Sequence, residues 1–104
     1  MTKKILEHER VRRVPPHFSW VDHRLVRHHY LEQAQAQSWA LYLVLVTVGD
    51  EHGLSFYSDK TLSRLLSLSE AVIASSRTEL IGVGVIAYSA PMYQVLDLGE
   101  ATKP

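Results

Sequence analysis

Cysteine is absent from this sequence, which excludes a disulfide framework, a thiolate zinc site and a cysteine nucleophile. Long apolar runs are lacking as well. The longest, residues 39–48 with Thr47 inside it, falls far short of the roughly 20 residues that cross a bilayer. The N-terminal stretch MTKKILEHERVRR carries charge but no apolar segment like that of a secretory signal. We therefore expect a cytoplasmic protein with no membrane partner.

Net charge is also lacking, because 11 Lys and Arg balance 11 Asp and Glu over the 104 residues. The balance conceals an asymmetry. Residues 1–30 carry seven Lys and Arg against three Asp and Glu, a surplus of +4, so the remaining residues sum to −4. A basic arm on a neutral or acidic body is typical of proteins whose arm follows phosphates, and a solubilising tail has the same composition.

The sequence contains few motifs that are typical of catalytic, cofactor-binding or metal-binding sites. Gly82-Val83-Gly84 follows a predicted helix and precedes a predicted strand, the reverse of a dinucleotide-binding loop. No serine lies in a nucleophile elbow. His23 and His28 are five residues apart, whereas two imidazoles on one helical face need i, i+4 spacing. The sequence predicts that the protein is not an enzyme and holds no metal or cofactor.

The length allows one small domain, over residues 20–98, with a basic extended arm at 1–19 and a flexible tail at 99–104. Pro15-Pro16 prevents a helix from continuing out of the arm. Helical spacing of apolar residues then predicts an N-terminal helix over 21–31. Its expected inward residues are Trp20, Leu25 and Tyr30, and its expected outward residues are Arg24, Arg27 and His28.

The centre of the predicted core is a helix over 39–48 that is apolar on nearly every side. Ser38 is predicted to cap its first turn, and Gly49 and Gly53 help to end it. A domain of this size cannot easily surround such a helix. Its excess apolar surface predicts a homodimer, formed through this helix or through the N-terminal one.

The stretch 57–88 has the capping and helix-terminating residues that are typical of a helix-turn-helix. Ser58 is predicted to cap a helix at 59–66, residues 67–69 to form the turn, and Ser69 to cap a second helix that ends near Ile81, where Gly82 and Gly84 stop it. A short strand is predicted before this pair at 54–57. A hairpin of strands 85–88 and 93–98 is predicted after it.

The second helix has a polar face of small residues. With Ile73 toward the core, an advance of 100° per residue turns Ser76 and Leu80 inward. The residues that this places outward are Ala71, Ser75 and Thr78. Arg77 lies about 40° from Ile73, so its guanidinium can reach a phosphate or pair with a carboxylate such as Asp59.

The order helix, short strand, helix, helix, strand, strand resembles the winged helix-turn-helix family. The matching residues are Leu68, Ser69 and Ile73, then Leu80 and the segment 84–88, and the resemblance covers about residues 38–98. It implies a mainly α fold with a three-helix core and a short antiparallel sheet that forms a β-hairpin wing. Here an extra N-terminal helix precedes that fold. The whole chain also looks like small winged-helix proteins of bacterial mobile elements and plasmid replication modules.

The resemblance implies double-stranded DNA as a partner, with residues 70–81 as the recognition helix in the major groove. That helix offers few groups that read base edges, and the wing carries no cation, so the phosphate contacts are expected elsewhere. The first motif helix and the arm supply them. The candidate DNA-binding residues are Arg10, Arg12, Arg13, Ser58, Lys60, Thr61, Arg64, Ala71, Ser75, Arg77 and Thr78.

Two functions are compatible with these features. The first is DNA binding by a bacterial transcription regulator or by a mobile-element or replication accessory factor. The second is protein–protein interaction or dimerisation without DNA, because the face of the second helix is small, neutral and partly apolar.

Overall fold

The computed structural model describes residues 2–99 and contains, in that range, four α-helices and one small sheet. The helices are α1 (Arg24–Arg27), α2 (Ala36–Val48), α3 (Asp59–Leu66) and α4 (Glu70–Val83), and the strands are β1 (Leu54–Phe56), β2 (Ile86–Ser89) and β3 (Met92–Val95). Two 3-10 turns occupy His8–Arg10 and Leu31–Gln33. The predicted combination of helices with a short antiparallel sheet is confirmed.

The three strands pair antiparallel in the order β1-β3-β2. Leu54 lies opposite Gln94, and Phe56 lies opposite Met92. β2 and β3 form a hairpin in which Ser89 also faces Met92. The central strand β3 is therefore paired along both of its edges.

The core lies between α2, α4 and the inner face of the sheet, with α3 closing one side. Alternation along β3 turns Tyr93 inward, where its side chain is fully buried. On α2, Leu41 and Leu45 are buried while Leu43 is 58% exposed. The buried apolar residues are Leu25, Leu41, Tyr42, Leu45, Leu62, Ile73, Leu80, Val85, Ile86 and Tyr93.

Local hydrogen bonds begin helices α3 and α4 where the sequence predicts. The Ser58 hydroxyl accepts from the Thr61 amide, and the Ser69 hydroxyl accepts from the Val72 amide, so both helices begin at a serine cap. Helix α4 ends where Gly84 adopts a left-handed conformation with φ of 89°. It runs two residues beyond the predicted end, because Gly82 continues the helix and Gly84 alone stops it.

The N-terminal helix is shorter than predicted. Helix α1 has only four residues, and His29 just beyond it has a positive φ of 62°, which ends the helical path. Trp20, predicted to pack inward, is 72% exposed. Arg24, predicted to point outward, lies half-buried with its guanidinium 2.8 Å from the Asp22 carboxylate.

Ser38 does not cap α2, because the helix begins at Ala36, two residues earlier. Ser38 is buried and donates to a Glu79 carboxylate oxygen at 2.5 Å, which also accepts from the Gln35 amide at 2.9 Å. A carboxylate from α4 thus accepts two hydrogen bonds at the start of α2. These bonds, first that of Ser38 and then that of Gln35, lower the pKa of Glu79.

The chain leaves the sheet at Val95, earlier than the predicted end at residue 98. The segment that follows is held by α1 and the turn after it. The Tyr30 hydroxyl donates to the Leu98 carbonyl at 3.2 Å, and Arg24 donates to the Gly99 carbonyl. Of the predicted tail, residues 100–104 lie outside the described residues, as does Met1 of the arm.

Candidate nucleic-acid interface

The hydroxyls of Ser58 and Thr61 and the ammonium group of Lys60 lie at the start of α3. Ser58 accepts from the Thr61 amide at 3.1 Å and donates to the Thr61 hydroxyl at 3.0 Å, so both hydroxyls take part in the cap. Lys60 is exposed and has no hydrogen bond or ion pair within residues 2–99. A helix start also presents free backbone amides and the positive end of its dipole. Asp59 in the same turn adds a carboxylate, which Arg77 binds, so Lys60 is the cation of this turn that has no carboxylate partner within residues 2–99.

Lys60 and Arg64 form an exposed cationic pair on one face of α3. Their i, i+4 spacing places the two side chains on neighbouring turns, about 6 Å apart at Cβ. Arg64, like Lys60, has no carboxylate partner among the residues described. Within 31–98 the only other Lys or Arg is Arg77. The pair is thus the cationic feature of an otherwise acidic body.

The outward face of α4 is small and weakly polar. Ala71, Ser75 and Thr78 are all exposed, as the helical arithmetic predicts. Ser75 donates its hydroxyl to the Val72 carbonyl and Thr78 donates to the Ala74 carbonyl, each at 3.1 Å. Their oxygens remain as acceptors. This face can approach a surface closely but offers it few donors.

Arg77 pairs with Asp59, which is the alternative that the sequence raised. One guanidinium nitrogen lies 2.6 Å from Asp59 and 2.8 Å from the Tyr93 hydroxyl, and the group stacks over the Tyr88 ring with its carbon 4.4 Å from the centroid. The hydrogen bonds, chiefly that to Asp59, raise the pKa of Arg77. With its side chain 14% exposed, Arg77 ties α4 to α3 and to the sheet.

The tip of the β2–β3 hairpin adjoins the start of α3. The Tyr57 amide donates to the Pro91 carbonyl at 3.4 Å, which joins the two. Residues 89–92 carry no charge. The hairpin therefore extends the surface around Ser58 without adding a phosphate contact from a cation.

The arm presents its cations to solvent. Residues 2–20 are exposed throughout, and apart from His8–Arg10 residues 2–19 have no helix or strand. Arg10, Arg12 and Arg13 have no carboxylate partner within the described range. The base of the arm is fixed where Ser19 donates to the Thr47 carbonyl at 3.3 Å. The arm is thus attached to the C-terminal end of α2.

A groove of about 460 Å³ lies between the arm base, the end of α2 and the exit from β3. We call it the arm-base groove. Its aromatic lining is Phe18, Trp20 and Tyr42, and its acidic lining is Asp22, Asp50, Glu51 and Asp97. Hydrogen bonds lower the pKa of two of these carboxyls: the Arg24 side chain acts first on Asp22, and the amides of Leu54 and then His52 act on Asp50.

The predicted DNA-binding residues fall into two sets in the structure. The fold brings Ser58, Lys60, Thr61 and Arg64 together on α3, with the outward residues of α4 on the adjacent helix. The arm cations are a separate set, because the arm leaves the body at the far end of α2.

Sequence reasoning missed the role of Glu79 and the arm-base groove, because both depend on contacts between distant parts of the chain. It also missed the ion pair of Asp22 with Arg24. The local signal that could have indicated this pair is the short separation of two opposite charges along the chain.

Within residues 2–99 no group of three or more His, Asp or Glu side chains is placed to hold a metal ion. No helix in the same range is long and apolar enough to span a membrane.

No family model matches the chain, and neither the curated proteins nor the solved structures contain a match to it. Its function is therefore inferred from its own residues and geometry.

Proposed function

We propose that this chain is a small winged-helix protein that binds double-stranded DNA, mainly through phosphates. The observation that carries the proposal is the arrangement of α3, α4 and the hairpin. Two capped helices are joined by a three-residue turn, the outward face of the second is uncovered, and a β-hairpin adjoins the start of the first. In winged-helix proteins these parts contact the backbone, the major groove and a flanking region.

The exposed cations favour phosphate contacts over base reading. Lys60 and Arg64 project from α3, where the motif's first helix crosses the DNA backbone. The hydroxyls of Ser75 and Thr78 on α4 already donate hydrogen bonds to backbone carbonyls of the same helix. Few donors remain for base edges, so we expect affinity with modest sequence preference. This suits an accessory factor in replication or transposition as well as a regulator in a bacterial cytoplasm.

The arm can supplement α3, because α3 lies within the length that the extended arm can span. The arm base adjoins Gly53 at one end of β1, while α3 begins beyond the other end. Three strand residues separate these points by about 10 Å. Residues 2–17 can span up to roughly 50 Å when extended. Arg10, Arg12 and Arg13 can therefore follow a groove of the same duplex that α3 contacts.

Fluorescence anisotropy with a labelled duplex, measured at several salt concentrations, tests the proposal. The logarithm of affinity should fall linearly with the logarithm of salt concentration, because each phosphate contact releases counterions. Replacing Lys60 and Arg64 by alanine removes two contacts and should reduce the slope by about 2. The loss should be similar for every duplex sequence, since phosphate contacts do not distinguish bases.

Arg27→Ala is the matched control, because it removes an exposed cation from α1, outside the proposed surface. It should leave the slope of the parent protein unchanged. Absence of binding to any duplex at low salt would refute the proposal. An unchanged slope in the Lys60 and Arg64 variant would show that α3 does not face the DNA.

A second candidate is a winged-helix module that binds protein through α4. The observation in its favour is the neutral outward face of α4, where Ala71, Ser75 and Thr78 provide no charge. If the parent protein is folded but binds no duplex in the anisotropy experiment, the result would favour this candidate.

A further inference from the structure

We propose that the arm-base groove of one copy binds the arm segment 11–16 of a second copy, so that two chains exchange arms. The segment reads VRRVPP. It is exposed in the single chain and carries both apolar and cationic side chains. This contact differs from the homodimers that the sequence predicts, which use the helices, and it does not depend on DNA binding.

The arm segment begins with the backbone conformation of a polyproline II helix. Val11 has φ of −63° and ψ of 131°, close to the values of that helix, and two prolines follow at fixed φ. Three residues make one turn, so Val11 and Val14 share a face while Arg12 and Arg13 lie on the others. Val11 and Val14 are 50% and 76% exposed. The segment thus exposes two apolar side chains, and its prolines restrict the conformations that it can adopt, with a bend at Pro16.

The arm-base groove has the lining that such a segment requires. Polyproline II segments bind in grooves lined by aromatic side chains, where ordering the ligand costs little entropy. Phe18 and Trp20 are 66% and 72% exposed along one wall, and Tyr42 lies buried at the floor. The groove volume of about 460 Å³ is enough for a few side chains of such a segment.

Charge also matches the groove to the arm segment. Asp50, Glu51 and Asp97 line the groove and are exposed. Arg12 and Arg13 are the complementary charges, and neither has a carboxylate partner in residues 2–99. A planar guanidinium that meets a carboxylate can form two parallel hydrogen bonds. Complementary charge also fixes the direction in which the segment binds.

The chain's own segment does not line its own groove, because no residue of 11–16 contributes to the groove lining. Only His17 separates Pro16 from Phe18, which is already part of the groove wall. Pro16 and His17 form a bend beside Thr47 and Gly49, and the segment before them is exposed. A second copy can bring its arm segment to the groove from outside. Exchange around a two-fold axis then forms two equal contacts.

Sedimentation velocity of the full chain without DNA tests the proposal, at concentrations up to about 1 mM because a small groove implies weak binding. The parent protein should show a reversible monomer–dimer equilibrium. Arg12→Glu with Arg13→Glu should lower the association constant about tenfold or more. The matched control, Lys3→Glu with Lys4→Glu, makes the same change in net charge outside the segment and should have a much smaller effect.

Glu51→Lys should weaken dimerisation in the same way from the groove side. Mixing this variant with the Arg12→Glu, Arg13→Glu variant should restore association, because an intact arm then meets an intact groove. In a heteronuclear spectrum of the dilution series, the Trp20 indole signal should shift as dimer forms. The Trp39 indole, which donates to the Leu31 carbonyl at 3.0 Å, should stay in place and serve as the internal reference.

A protein that stays monomeric at all concentrations would overturn the proposal, and so would a dimer that neither Glu51→Lys nor the arginine substitutions weaken. Failure of DNA binding in the anisotropy experiment would leave this result untouched, since sedimentation is measured without DNA. Conversely, DNA binding by a chain that never dimerises would refute the arm exchange alone.

Discussion

Substitution of Arg77 tests how helices α3 and α4 are held to each other and to the sheet. The perturbation is Arg77→Met, which keeps a long apolar stem but removes the guanidinium. Two of its nitrogens lie on the Asp59 carboxylate, at 2.6 Å and 3.3 Å, and one also contacts the Tyr93 hydroxyl. The substitution therefore removes the ion pair between α4 and α3 and leaves a buried tyrosine hydroxyl without this donor.

The expected loss follows from these contacts. A hydrogen bond to a charged group contributes about 1.5–3 kcal/mol, and stacking of Arg77 over Tyr88 adds about 0.5–1 kcal/mol. Asp59 is 31% exposed, so water recovers part of its solvation. We expect Arg77→Met to lower the free energy of unfolding by about 2–4 kcal/mol. For a domain of this size the melting temperature should fall by roughly 10–25 °C.

Urea unfolding monitored by circular dichroism measures this loss, provided that the slope with denaturant is the same as in the parent protein. A double-mutant cycle with Asp59→Asn should give a coupling of about 1–3 kcal/mol. Arg77→Lys should recover only part of the stability, because an ammonium cannot hold both carboxylate oxygens in the same geometry. A loss below about 0.5 kcal/mol, combined with weakened DNA binding, would refute the structural role and assign Arg77 to phosphate.

Three further substitutions test the backbone at two glycines and the carboxylate at the start of α2. Gly53→Ala should cost about 1–3 kcal/mol of unfolding free energy, because φ is +79° there and a Cβ would lie 2.7 Å from the Val95 carbonyl oxygen. Gly82→Ala, where nothing lies within 4 Å of the new methyl, should instead stabilise α4 by about 0.5–1 kcal/mol. Glu79→Gln should destabilise at pH 7 by weakening the bonds to Ser38 and Gln35. Because the folded pKa of Glu79 is lowered, that difference is fully present above its ordinary value of 4.5 and disappears as the pH falls through the lower folded value.

Chemical unfolding of the same kind measures each variant, and the two glycine substitutions serve as controls for each other because both add a single methyl group. Equal effects of Gly53→Ala and Gly82→Ala would contradict the different backbone environments described for them. A Glu79→Gln difference that persists unchanged to pH 3 would show that the carboxylate charge is not what stabilises the start of α2.

The helices α3 and α4 could be predicted from the sequence because their determinants are local. Ser58 and Ser69 each bond to an amide three residues later, and Gly84 supplies a positive φ. Apolar spacing identified Ile73, Ser76 and Leu80 as the inner face of α4. Such signals act within one or two turns of helix, so residue order alone specifies them.

The N-terminal third was predicted less well because the decisive contacts are not local. Apolar spacing suggested a continuous helix, but α1 is only one turn long, and Trp20 stays exposed. Ser38 looked like a cap because it precedes an apolar run. The structure gives the start of α2 a partner from α4 instead, 41 residues away from Ser38.

The sequence by itself determined the serine caps of α3 and α4, the presence of the hairpin, and the division between basic arm and acidic body, because these depend on neighbouring residues and on composition. Only the tertiary structure decided that Arg77 binds Asp59, that Glu79 accepts hydrogen bonds at the start of α2, and that an aromatic and acidic groove lies at the arm base. Each of these requires two distant segments to meet. Their meeting is fixed by how helices and sheet pack around one core, which no local pattern encodes.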